Sequence, residues 1–255
     1  MILRRLTDAL RKQDWFTVAV ETLIVVFGVF IGLQVNNWNE ARQDRAAGRF
    51  YLSSIGADIA SDIEALEDNI ENLQRESDHA ELIDSFLRGK PVAASDWDMF
   101  QIIYYRAGWT PFMPTRITYG ELVSAGRFRI VGDAALRRDI SDYYAGIEEF
   151  SLFYEFQPPL REMVRSKYSL AAQAYLWDAC FPNAHYRSGH GSFSSCAPFE
   201  GADDITGTLD ALRATEGLLD AVRYVQSVRI IRRGATGTDL EVARALSAQI
   251  EGKLK

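Results

Sequence analysis

Two cysteines and two histidines lie close enough together to do chemistry as a set: Cys180-x4-His185-x4-His190-x5-Cys196. Thiolates and imidazoles in such a run could hold a structural zinc ion. Zinc sites, however, pair their cysteines tightly beside an H-x3–5-H pair, and here the cysteines stand outside the histidines. The first reading is a disulfide between Cys180 and Cys196. The fifteen residues they enclose are rich in Ser and Gly and read as an irregular loop. Closing a loop of that length contributes ~3 kcal/mol in the chain-entropy treatment, and such a bond persists in an oxidising compartment. Zinc and free thiols stay open as alternatives, because the bond also needs the two Cα atoms within reach.

Other chemistry is scarce. No HExxH, GxSxG, P-loop or GxGxxG pattern occurs. The acid pairs Asp203-Asp204 and Glu148-Glu149, and the acids Asp58 and Asp62, read as helix caps or solvated helix faces. His79 lies in an acidic helical stretch and reads as exposed. An irregular loop positions His185 and His190 poorly for catalysis. The expectation is a protein that is not an enzyme and takes no cofactor and no metal.

The elements that must position these residues begin with an apolar segment, Phe16 to Leu33, broken by the single charge Glu21. Roughly 20 such residues cross a bilayer core. Trp15 and Trp38 flank it and lie ~34 Å apart on a helix, the spacing of two interfacial anchors. The stretch after Leu33 offers no Ala-x-Ala-like site, so it reads as a retained anchor rather than a cleaved signal. Glu21 is the one ionisable group inside the span; its shallow depth also allows it to reach the headgroups. Gly28 and Gly32 form a GxxxG pair that would let a second helix pack closely. Arg4, Arg5, Arg11 and Lys12 precede the span, and Arg42, Arg45 and Arg49 follow it. Four against three tips the orientation toward a cytoplasmic N-terminus and a periplasmic C-terminal domain.

The expected organisation is an amphipathic interfacial segment at 1–14, a transmembrane helix at 15–38, and a helical periplasmic domain at 39–255. The chain of 255 residues carries a formal net charge of −7 despite its basic N-terminus. The main domain is therefore acidic, with no net attraction for nucleic acid or anionic lipid. Its composition, 47% apolar with 12% aromatic, is that of a folded protein.

The fold class expected is all-α, a multi-helix bundle with a Ser/Gly-rich loop. Leu52, Ile55, Ile59, Ile63, Leu66, Ile70, Leu73, Ala80, Ile83 and Leu87 recur at spacings of three, four and seven, with Ser77 in one inward slot. That helix runs from the span to Gly89-Lys90-Pro91, with breaks at Gly48 or Gly56 considered. It is expected to pack antiparallel on its own chain. Ser95 or Asp96 caps a second helix carrying Trp97, Phe100, Ile103 and Tyr104, with Trp109 beyond. Tyr105 and Phe112 complete this aromatic group, which reads as core more than as a contact surface. Thr118–Ser124 is a short helix closed by Gly126. Residues 127–131 read as an extended piece. Gly132-Asp133 caps a helix whose apolar stripe is Leu136, Ile140, Tyr143, Tyr144 and Ile147. Pro158-Pro159 ends it, and one further helix runs to about Trp177. Two helices, Thr208–Arg233 stopped by Gly234 and Asp239–Leu254, close the chain.

The run from Ile31 to Glu40, IGLQVNNWNE, resembles a family of uncharacterised bacterial single-span membrane proteins. So does Thr118–Phe128, TYGELVSAGRF, with Leu136 and Tyr143-Tyr144. The resemblance covers most of residues 15–150. It implies an N-terminal anchor and a helical extracytoplasmic domain, and supplies no activity and no site residues. The function expected is that of an accessory or scaffold subunit of an inner-membrane assembly, for example an energy-transducing complex. Its partners would be membrane lipid and other membrane subunits or a second copy. The alternative is a periplasmic sensory or small-ligand-binding module working through a separate partner.

Overall fold

The computed structural model describes residues 15–108, 112–152, 159–180, 196–199 and 205–255. Among them the chain is helical, with no strand. The N-terminal amphipathic segment, Trp109, the Ser/Gly-rich loop with its histidines, and Asp203-Asp204 lie outside the described residues. The chain divides into two compact units, residues 1–51 and 52–255, and the first helix, α1 (Trp15–Leu87), contributes to both. No break occurs at Gly48 or Gly56, correcting that expectation. A single glycine costs ~1 kcal/mol in a helix interior, too little to interrupt a pattern this long.

In the first unit α1 is almost wholly apolar from Val20 to Val35, with Glu21 its single charge. The large apolar side chains from Val20 to Val35 are 40–64% exposed. This is the one helix among the described residues long and apolar enough to cross a membrane.

In the second unit α1 buries a stripe at spacings of three and four, with one step of seven past the half-buried Ile70: Leu52, Ile55, Ile59, Asp62, Leu66, Leu73, Glu76, Ala80 and Ile83. It packs on the last helix, α8 (Leu218–Leu254). Glu67 pairs with Arg244, Glu76 with Arg229 and Asp84 with Arg223. Rising numbers on one helix meet falling numbers on the other, so α1 packs antiparallel on its own chain, as the sequence predicts. Two slots differ from expectation. Asp62 and Glu76 point inward, while Ile63 and Ser77 are only half-buried. Hydrophobicity alone selects the neighbouring residue; the polar partners described below reverse the choice.

The cross-helices fill the space beside this pair. They are α2 (Asp96–Arg106), α3 (Ile117–Ser124), α4 (Ala134–Leu152), α5 (Leu160–Arg165), α6 (Leu170–Cys180) and α7 (Ile205–Arg213). Ser95 caps α2 through a reciprocal capping box with Asp98. Gly126 closes α3 at φ 65°. Arg127 N–H donates to Leu122 O and Gly126 N–H to Val123 O, the paired bonds of a Schellman stop. Asp133 caps α4 by accepting from the Ala135 and Leu136 amides. The predicted stripe of α4 is buried throughout.

Three expectations are corrected. Residues 128–130 form a 3-10 turn rather than an extended piece. The single helix expected before the cysteine loop is two, parted by a turn at Ser166–Ser169, and the second reaches Cys180. Gly234 does not end a helix. α8 runs through it, and the break falls earlier, where Gly217 takes φ 76°. Only a residue without Cβ adopts that conformation cheaply. Gly234 stays helical because residues on both sides of it are buried, from Leu218 to Ile250.

An aromatic core links α2 to α5 and α6. Phe100 and Tyr104 pack against Tyr168 in tilted pairs, with ring centroids 4.4 and 5.0 Å apart. Tyr168 OH donates to Phe100 O at 2.7 Å. Trp97, Tyr104 and Tyr105 thus serve packing, as the sequence suggests.

Candidate functional site

The centre of the α1–α8 pair is ionic. Glu76, on α1, accepts from Arg229 Nε at 3.0 Å and from Arg106 Nη1 at 3.4 Å. All three side chains are buried: Glu76 is 5% exposed, Arg106 8% and Arg229 1%. Arg229 Nη2 also donates to the Arg106 carbonyl at 2.6 Å. One carboxylate therefore ties three helices, α1, α2 and α8. Burial pulls the Arg106 guanidinium down to about 10, against the pull of Glu76, so it remains a cation at neutral pH. Arg232, one turn on, is also buried.

His79 stands one turn along α1 from Glu76. It is half-buried rather than exposed, which corrects the sequence reading. Arg106 Nε donates to its Nδ1 at 2.9 Å. Only a neutral imidazole can accept there. Burial first, and Arg106 second, push its pKa from 6.5 down to about 4; Asp78 and Glu76 oppose this and Arg229 adds to it. A group whose folded pKa is depressed supports the fold above its unfolded pKa and withdraws that support as pH falls through the folded one. The window is therefore pH 6.5 down to about 4. Urea midpoints of the full chain should fall across it, and His79→Gln, which keeps an acceptor without titrating, should show a smaller fall. An identical pH dependence in the variant would contradict this role.

A second polar cluster lies two heptads up α1. Asp62, read from sequence as a cap or solvated acid, is 2% exposed. It accepts from Tyr143 OH at 2.8 Å and from the Thr115 amide at 2.8 Å. Asp58 accepts from the Thr118 amide at 3.4 Å. Arg116, the N-cap residue of α3, makes no side-chain cap; carboxylates on α1 meet the amides there instead, in the favourable sense of the helix dipole. Burial raises the Asp62 pKa, and its hydrogen bonds only partly offset this. Tyr119 stacks on Tyr144 at 4.4 Å, and Tyr144 OH donates to Thr115 O. The start of α3, from Thr115 to Thr118, is thus held against α1 by acids.

Cys180 and Cys196 are disulfide-bonded, with Cα atoms 5.1 Å apart. Bonded sulfurs are not thiolate ligands, so the zinc and free-thiol alternatives for this pair fall. Cys180 lies fully buried at the end of α6. Trp97 Nε1 donates to Cys196 O at 3.0 Å, and Tyr175 OH to Ala197 O at 2.9 Å. The bond and these two donors hold residues 196–199 on the core.

The residues of the apolar run belong to the first unit. Gly28 and Gly32 have open space where a Cβ would be. Glu21 is exposed. Trp38 is 61% exposed, with the Arg42 guanidinium 5.8 Å from its ring centre. Trp15 opens α1.

Chemically, the Glu76 charge is balanced by two arginines, while Asp62 is held by donated hydrogen bonds alone, and both are buried. A cavity of about 10 Å³ lies beside Arg106 and Arg229, lined by Ile83, Ile103, Leu160 and Val222 among others. That is room for about one water, far below the ~300 Å³ of a small-ligand site. The clusters hold helices α1, α2, α4 and α8 in register.

A fold of this kind, with one exposed apolar helix and a helical domain closed by buried ion pairs, defines an all-α protein with one candidate membrane-spanning segment. The chain belongs to the Family of unknown function (DUF6090), whose profile matches residues 21–157, more than half of its length. The match takes in the apolar run from Glu21 onward, Asp62, Glu76, Arg106 and Tyr143, and stops short of Arg229 and the disulfide. No curated protein and no solved structure matches the chain.

Proposed function

We propose that this is a bacterial inner-membrane protein anchored by α1, with a cytoplasmic N-terminus and a periplasmic helical domain. It acts without catalysis, as an accessory or scaffold subunit of a larger membrane assembly. The observation that carries the reading is the apolar run Val20–Val35, exposed on every side of a helix. Such a surface is stable only in lipid or against other apolar helices. The disulfide supports the periplasmic side, since such bonds persist in oxidising compartments. The polar clusters fit a scaffold: they fix which helix meets which, at the cost of desolvating charge.

Native electrophoresis of digitonin-solubilised membranes tests the scaffold reading. The chain should migrate in a defined complex, and Gly28→Leu with Gly32→Leu should shift it toward the monomer. Migration of the wild type as a monomer would overturn it.

A further inference from the structure

The apolar surface of α1 ends at Trp38, and the next eleven residues sort their charges by face. Trp38, Arg42, Arg45 and Arg49 follow one another at spacings of four, three and four. At 3.6 residues per turn they form a single stripe, continuous with Phe27 and Ile31 of the apolar run. All four are exposed. Arg42 leans over the Trp38 ring, its guanidinium 5.8 Å from the centroid. None of the three arginines makes an ion pair among the described residues. The acids of the same stretch, Glu40 and Asp44, fall on the opposite side of the helix, and Glu40 accepts from Asn36 at 2.9 Å. Gly28, Gly32 and Glu21 share a third face, roughly a quarter-turn from the arginines.

We propose that the Trp38–Arg42–Arg45–Arg49 stripe binds the headgroups of anionic phospholipids. The inference rests on the reading of α1 as a membrane span. An interfacial tryptophan sets the depth. Arg42 and Arg45 then stand ~6 and ~10 Å further along the axis, within a side chain's reach of the phosphate layer. Arg49, another turn on, lies within about two Debye lengths of it at physiological salt. Guanidinium forks suit phosphate oxygens, and no carboxylate on this face competes for them. Charge complementarity and continuity with the span therefore select an anionic lipid surface as the occupant. The glycine face remains available for a protein neighbour, so one helix can hold both at once.

The test uses the full chain, reconstituted in bilayers of equal phosphatidylglycerol and phosphatidylcholine. Resistance to alkaline carbonate extraction is scored first. A chain that washes off sinks the span reading and this inference with it. Spin-labelled lipids then report the ratio of motionally restricted phosphatidylglycerol to phosphatidylcholine. The wild type should show a several-fold preference at low salt that shrinks as salt rises. Arg42→Gln with Arg45→Gln and Arg49→Gln should bring the ratio close to one, and the corresponding lysine replacements should keep most of the preference.

A wild-type ratio of one, or a preference indifferent to salt, would overturn the proposal while leaving the span intact. A preference unchanged in the glutamine variant would also overturn it, assigning lipid selection to other basic residues such as those before the span. Equal loss in the lysine variant would do the same, since charge would not then be the cause.

Discussion

Glu76→Ala should destabilise the helical domain by ~3–5 kcal/mol, the usual effect of removing one partner from a buried ion pair. The variant leaves Arg106 and Arg229 buried with no carboxylate between them, and Arg229 is only 1% exposed. Domains are stable by ~5–15 kcal/mol in total, so a loss of this size should lower the urea midpoint steeply or abolish folding at 37 °C. Lys253→Ala provides the contrast. It breaks an ion pair with Asp133 that is shorter still, 2.7 Å, but both side chains are about half exposed. Such pairs contribute at most ~1 kcal/mol. Should the two variants prove equally stable, the ionic centre would not be holding α1, α2 and α8 together. Replacing Glu76 with Leu and both arginines with Met should recover much of the loss, because no charge is then left buried alone.

The second large effect concerns the disulfide. Cys180→Ala with Cys196→Ala should cost ~3 kcal/mol, the value for a loop of about fifteen residues. The loss should appear in the urea midpoint of the oxidised protein against the variant. Trp97 and Tyr175 donate to the carbonyls of Cys196 and Ala197, so their fluorescence should report release of residues 196–199 first. Cys180 is fully buried and Cys196 half-buried, so reducing agent should attack the folded chain at the Cys196 sulfur first. A variant with the wild-type midpoint would show that the packing around Trp97 suffices without the bond.

Local signals carried much of the fold into the sequence. The stops at Gly89 and Gly126, the caps at Ser95 and Asp133, and the α4 stripe depend on neighbours within four residues, which a reader of the chain can see. The ionic centre was not legible in the same way. Glu76 meets Arg106 and Arg229 across 30 and 153 positions, and Asp62 meets Tyr143 across 81. In each slot a hydrophobic or neutral neighbour, Ile63 or Ser77, offers the simpler inward residue.

A usable signal does exist on α8. Leu218, Val222, Val225, Arg229, Arg232, Thr236, Leu240, Ala243, Leu246 and Ile250 keep three–four spacing through two arginines. Inward arginines on one heptad helix call for an inward acid on its partner. Attending to Gly234 as a stop divided that pattern and hid it.

We propose that the exposed apolar helix and its attached domain serve a larger membrane assembly. Affinity purification of a tagged chain at native expression in mild detergent, with quantitative mass spectrometry of what stays bound, tests it most directly. The account predicts a fixed set of membrane proteins in constant stoichiometry, lost when residues 19–35 are replaced by a leucine span of the same length. A lone monomer or homodimer, unchanged by that replacement, would contradict it.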